Sequence, residues 1–137
     1  ASIEEIKQAA ELSFANTFIE KLPDGYDTYI SNSDMLSEGE VQLLNIARIM
    51  LIKPPILILD EATSNIDLLT EDMIKKAILE LTSNSTSIII AHRLSTIKNC
   101  DFIVFIEDGN IVEVGTHDEL INKKGAYYNM YKSQFNA

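Results

Sequence analysis

Cysteine, glycine and basic residues are all scarce in this 137-residue chain, and each shortage excludes a class of chemistry. Cys100 is the only thiol, so neither an intramolecular disulfide nor a cysteine-built zinc cluster can form and nothing demands an oxidising compartment. It reads as a small buried side chain. The five glycines are Gly25, Gly39, Gly109, Gly115 and Gly125. None opens a Gly-x-x-x-x-Gly-Lys-Ser/Thr run, whose backbone N–H groups and lysine cradle a triphosphate. Only 11 Lys and Arg, scattered along the chain, stand against 21 Asp and Glu, for a net charge of −10. Direct nucleic-acid binding, which needs a clustered cationic face to displace counterions, is disfavoured. The longest apolar stretch, Ile49 to Leu59, is interrupted by Lys53-Pro54-Pro55 and is too short to cross a bilayer. No transmembrane or signal segment is read in the chain.

What is present suits one globular core, since 46% of the residues are apolar and a chain of this size buries roughly two-thirds of its unfolded surface. One domain, or part of one, is expected. Ser2 with Glu5 forms a capping box ahead of Ile3, Ile6, Ala9, Ala10 and Phe14 at helical spacing, and a second helical stretch runs from about Phe14 to Leu22. Pro23-Asp24-Gly25-Tyr26 is turn chemistry, with a polar loop from Asp27 to Met35. Ser37 with Glu40 starts another helix, which Pro54-Pro55 ends. The remainder alternates: buried strand Ile56–Leu59, amphipathic helix Leu68–Leu81, buried strand Ser87–Ala91 and a short helix Leu94–Lys98. A hairpin, Phe102–Glu107 and Asn110–Val114, turns at Asp108-Gly109. Thr116 caps the helix that follows, and a last helix runs from about Ala126 to Phe135.

The run ILILDEATSNID, Ile56 to Asp67, delivers Asp60 and Glu61 side by side at a strand's end. A phosphate-loop ATPase needs a magnesium-organising carboxylate and a base for water at that point. With acid and base present and the phosphate cradle missing, the chain reads as the later part of a larger ATPase domain. Taken alone, such a run is commonly a strand end with solvated acids. A lone His92 beside a buried strand is commonly a satisfied structural group, and Ser64-Asn65-Ile66-Asp67 is also a turn whose Asp67 caps the next helix. His117 is explained as the start of a surface helix.

The order LSEGE, ILILDE, SNID and IIIAHRLSTI resembles the second half of an ATP-binding cassette nucleotide-binding domain. LPDGYDT and DGNIVEVGTHDEL extend that resemblance over the whole chain and point to the exporter branch. It implies an α/β fold: a partial P-loop NTPase (RecA-like) parallel sheet lacking the phosphate-loop strand, part of the helical subdomain, and a C-terminal hairpin with helices. Residues 1–53 would be the helical signature subdomain and 54–137 the later part of the catalytic core. Such domains run to roughly 230 residues, so about a hundred upstream residues are expected to carry the phosphate loop. Without them a central strand is absent, open sheet edges are expected, and the isolated chain is expected to associate and to be inactive.

The resemblance assigns roles residue by residue. Asp60 would hold Mg²⁺ through water, Glu61 would polarise the attacking water, and His92 would contact the γ-phosphate of ATP. Ser64 and Asp67 would lie along the dimer interface. In LSEGE, Ser37 and Gly39 match the usual Leu-Ser-Gly-Gly-Gln, but Glu38 and Glu40 replace glycine and glutamine, and Val41 sits where a basic residue is common. Two carboxylates suit a helix N-terminus yet oppose phosphate, so this signature is expected to serve a low-turnover site. The implied partners are a second nucleotide-binding domain, as in heterodimeric bacterial multidrug exporters, and a transmembrane domain. The implied location of the intact protein is the cytoplasmic face of the cell membrane, and this chain itself is expected to be soluble. Two alternatives stay open: a cassette ATPase of DNA repair or translation, and a truncated, non-enzymatic interaction module.

Overall fold

Ser2 starts the first helix, α1 (Ile3–Leu12): its hydroxyl accepts the Glu5 N–H at 3.2 Å while Glu5 Oε2 accepts the Ser2 N–H at 2.7 Å. Two otherwise orphaned donors are satisfied by one reciprocal box. The structure is a computed structural model and describes residues 1–31, 35–60, 66–83, 85–91 and 97–135.

The expected helical spacing through Phe14 breaks one residue earlier. Phe14 takes the left-handed conformation, φ 63°, and the second helix shortens to α2 (Asn16–Ile19). The cause is Ser13, fully buried, whose hydroxyl donates to the Ala10 carbonyl at 3.1 Å and accepts the Ala15 N–H at 3.3 Å. A side chain that bonds the backbone locally offers the chain an alternative to continuing the helix. A 3₁₀ turn at Gly25–Asp27 follows.

α3 (Glu38–Ile52) is the centre of the first core. Leu43, Ile46, Ala47 and Met50 recur at i, i+3, i+4 and i+7 and are buried against α1 and α4 (Leu68–Thr82). Lys53 ends α3 in the left-handed region at φ 50°, ahead of Pro54, as the two prolines required. β1 (Ile56–Asp60) pairs with β2 (Thr86–Ile90). The Thr86 N–H donates to the Pro55 carbonyl at 3.2 Å, so the strands begin together and run parallel. Both strands were expected to be buried, but the outcome differs. Leu57 is buried, whereas Ile56 and Ile58 remain 62% and 65% exposed and Ile88 and Ile90 are exposed too, because among the described residues nothing covers them.

The chain forms two compact units, Ala1–Ile88 and Ile89–Ala137. In the second, β3 (Ile103–Glu107) and β4 (Asn110–Gly115) make the expected antiparallel hairpin. Asp108 and Gly109 both have positive φ, 48° and 75°, the pair of values a two-residue I′ turn requires. Ile103 lies on the hairpin face that packs with α5 (His117–Lys123) and α6 (Ala126–Phe135) around Leu120 and Tyr127. The alternate residues, Phe102, Val104 and Ile106, are exposed. Most of the short helix expected at Leu94–Lys98 lies outside the described residues.

The apolar seam of α3 yields a direct prediction. Leu43→Ala, at a side chain only 2% exposed, will cost about 2–5 kcal/mol in urea unfolding, more than any single truncation on the exposed faces of β1 and β2.

Candidate functional site

The first turn of α3 is built around Ser37. Its backbone is extended, its hydroxyl accepts the Glu40 N–H at 3.3 Å, and Glu40 Oε2 accepts both the Ser37 N–H at 2.8 Å and the Ser37 O–H at 2.9 Å. Glu40 is therefore turned onto its own helix terminus, which is the box expected from Ser37 and Glu40. Glu38 is exposed in the same turn. Both charges lie at the positive end of the helix dipole, which favours them and opposes a third anion beside them.

Gly39 is buried, and its small size has a tertiary cause. A Cβ built there would overlap Thr70 Cγ2 and lie 3.3 Å from Ile66 Cγ2. The start of α3 thus rests on the start of α4. Asp67 caps that second helix: its Oδ1 accepts the Leu69 N–H at 3.1 Å and the Thr70 N–H at 3.0 Å. The Thr70 side chain, then the Thr70 and Leu69 N–H groups, hold the Asp67 carboxyl below the ordinary aspartate value of 3.8.

The structure accordingly brings Ser37, Glu38, Gly39 and Glu40 beside the helix that Asp67 begins. Asp60 ends β1 with its side chain exposed, as a hard oxygen donor at a strand's C-terminal edge. Among the described residues no group of three or more His, Cys, Asp and Glu converges as a protein-only metal cage. One carboxylate is still a fitting donor for Mg²⁺, which keeps several waters and takes its other ligands from phosphates. Glu61, Ser64 and His92 lie outside the described residues.

The sequence model of the ABC transporter family matches residues 2–64. An uncharacterized ABC transporter ATP-binding protein of Bacillus subtilis (strain 168) is 51% identical over 98% of this chain. This chain belongs to the ABC transporter ATP-binding family. A second relative, a "Putative multidrug export ATP-binding/permease protein" of Staphylococcus aureus (strain NCTC 8325 / PS 47), is 53% identical over 98% of the chain. The chain spans 22% and 23% of the lengths of these two relatives. Among solved structures, a bacterial Atm1-family ABC exporter with ATP bound superposes with a TM-score of 0.83 at 41% identity, covering 98% of this chain and 24% of that one. The α/β arrangement is therefore that of part of an ABC exporter's nucleotide-binding domain.

Two features of this ABC sequence escaped the reading of its residues. The seat of Gly39 on Thr70 leaves no local signal, because a helical glycine is explained only by what packs against it. The inward placement of Glu113 on β4 was accessible, since strand alternation puts it on one face with Gly115 and opposite Phe105.

Both helix starts can be tested. Gly39→Ala is expected to destabilise the chain by about 1–3 kcal/mol, and Thr70→Ser, which deletes the methyl but keeps the hydroxyl, should recover part of that loss in a double-mutant cycle. Because folding lowers the Asp67 pKa, its contribution is complete above the unfolded value and disappears as pH falls through the lowered one. An NMR titration should show the Leu69 and Thr70 amides shifting with a midpoint below the ordinary aspartate range, and Asp67→Asn should abolish that transition.

Proposed function

We propose that this chain supplies the water-activating half of an ATP site in an ABC exporter and a modified signature to a second site. The observation that carries the reading is Asp60 at the exposed C-terminal end of β1, in a chain of the ABC family whose relatives match it over 98% of its length. A carboxylate at that edge reaches the space beyond the strand ends, where open α/β sheets bind ligands.

In this reading Asp60 would hold Mg²⁺ through water, Glu61 polarises the attacking water, and His92 hydrogen-bonds the terminal phosphate and the water together. Bound Mg²⁺ would supply charge neutralisation on the phosphate oxygens. Ser64 and Asp67 border the opposing domain, and Ser37 with the Gly39 backbone faces the nucleotide held by that domain. Residues 1–53 act as the signature subdomain and 54–137 as part of the catalytic core. The phosphate cradle comes from sequence outside this chain, so the chain alone does not turn over ATP. The multidrug-export and permease functions named for the Staphylococcus relative suggest coupling to a transmembrane domain on the cytoplasmic side, with substrate export as the outcome.

Glu38 and Glu40 make the arrangement asymmetric. With the Ser37 hydroxyl donated to Glu40 and a second carboxylate one turn-position away, a phosphate must displace or approach negative charge. A heterodimeric partner carrying the better signature fits this chemistry, and two equivalent hydrolysing sites in a homodimer would contradict it.

The central test uses a polypeptide joining this chain to a phosphate-loop half. Glu61→Gln should reduce ATP hydrolysis by roughly a hundredfold or more while nucleotide binding persists. Unchanged turnover would exclude Glu61 as the group that polarises the water.

A further inference from the structure

Glu113 is a buried carboxylate distant in sequence from every residue assigned to nucleotide chemistry. Its side chain is 5% exposed, and Lys123 Nζ, itself largely exposed, lies 3.4 Å from its Oε1. Glu113 Oε2 accepts the backbone N–H of Tyr127 at 2.8 Å. Tyr127 is the second residue of α6, and the Asn129 N–H donates to the Gly125 carbonyl at 3.1 Å, which puts Gly125 in the capping position. Gly125 has no side chain with which to cap. A Cβ there would overlap Glu113 Oε1 and lie 2.8 Å from its Cδ. The bond that an N-cap side chain ordinarily makes to its own helix is delivered here from a strand fourteen residues upstream.

The neighbouring elements, unlike α6, take their terminal hydrogen bonds from adjacent residues. α5 carries its own box, with the Thr116 hydroxyl accepting the Glu119 N–H at 3.3 Å and Glu119 accepting the Thr116 N–H at 2.8 Å. The hairpin has its own I′ turn. α5 and α6 span seven and ten residues, both shorter than the length at which an isolated helix holds in water, and only α6 takes its cap from another element. It depends on contacts from outside itself: the Glu113 cap, the buried Tyr127 ring edge-on to Phe105, and the Tyr127 hydroxyl 2.8 Å from His117 Nδ1.

We propose that Glu113 is a latch: by capping α6 across the fold it couples formation of the helix to its docking on the hairpin, so that loss of the cap opens α6 as a unit. Gly125 is the matching half of the latch, because only a residue without Cβ leaves room for the carboxylate. Lys123 compensates its charge from the solvent side.

Hydrogen exchange followed by NMR on the full 137-residue chain tests this. In Glu113→Ala the amides of Tyr128 to Tyr131 should exchange on the order of tenfold faster relative to those of Val104, Phe105 and Leu120. Glu113→Gln, which keeps an acceptor but loses the charge, should fall between. Gly125→Ala, with Glu113 intact, should reproduce the Glu113→Ala pattern by taking the carboxylate's space. Unchanged α6 protection in Glu113→Ala overturns the proposal. So does equal loss of protection in α6, the hairpin and α5, whether through local opening or failure of the variant to fold, because Glu113 would then be a general support of the unit.

Discussion

Burial of one apolar seam on α3 organises the first unit. Leu43, Ile46, Ala47 and Met50 form the stripe against which α1 and α4 rest, and the alanines Ala9, Ala10 and Ala77 permit those helices to approach closely. Everything proposed for the signature segment depends on this packing, because it sets where the first turn of α3 is held. The glycine at that turn tightens the dependence: Gly39 lets the α3 terminus sit on Ile66 and Thr70, so the segment with Ser37 and the helix capped by Asp67 are fixed by one contact. A shift of either helix start moves both.

Local chemistry recurs in three places with one solution. Ser2 with Glu5, Ser37 with Glu40 and Thr116 with Glu119 are reciprocal boxes, and each consumes a hydroxyl and a carboxylate that could otherwise face a ligand. At α1 and α5 that has no bearing on nucleotide. At α3 it does, since the same serine is the residue that the ABC resemblance turns toward phosphate. Under the proposed function, structural capping and ligand binding would compete there for a single O–H group, which would give the departure from Leu-Ser-Gly-Gly-Gln a physical meaning.

The legible parts of the fold were those decided over three or four residues. The capping boxes, the Pro54-Pro55 stop, the Asp108-Gly109 turn and the Asp67 cap were readable because donor, acceptor and backbone preference are sequence neighbours. The break at Phe14 was not, because it depends on a buried Ser13 hydroxyl, and burial is a tertiary property. Strand existence was likewise readable from the apolar runs, whereas strand burial was misjudged: β-branched residues announce a face that seeks cover without saying whether this stretch of chain supplies it. For the candidate site, the motif order singled out Asp60 and Ser37, but the contact joining Gly39 to Thr70 and the bond from the Tyr127 N–H to Glu113 depend on tertiary packing that no local pattern announces.

Ile56, Ile58, Ile88 and Ile90 remain wet in the folded chain, and that has a thermodynamic consequence. Unfolding releases little fresh hydrocarbon from these strands, so the heat-capacity increment and the denaturant slope will be smaller than for an ordinary domain of this length. The stability curve will be correspondingly flat, with a weak dependence on urea.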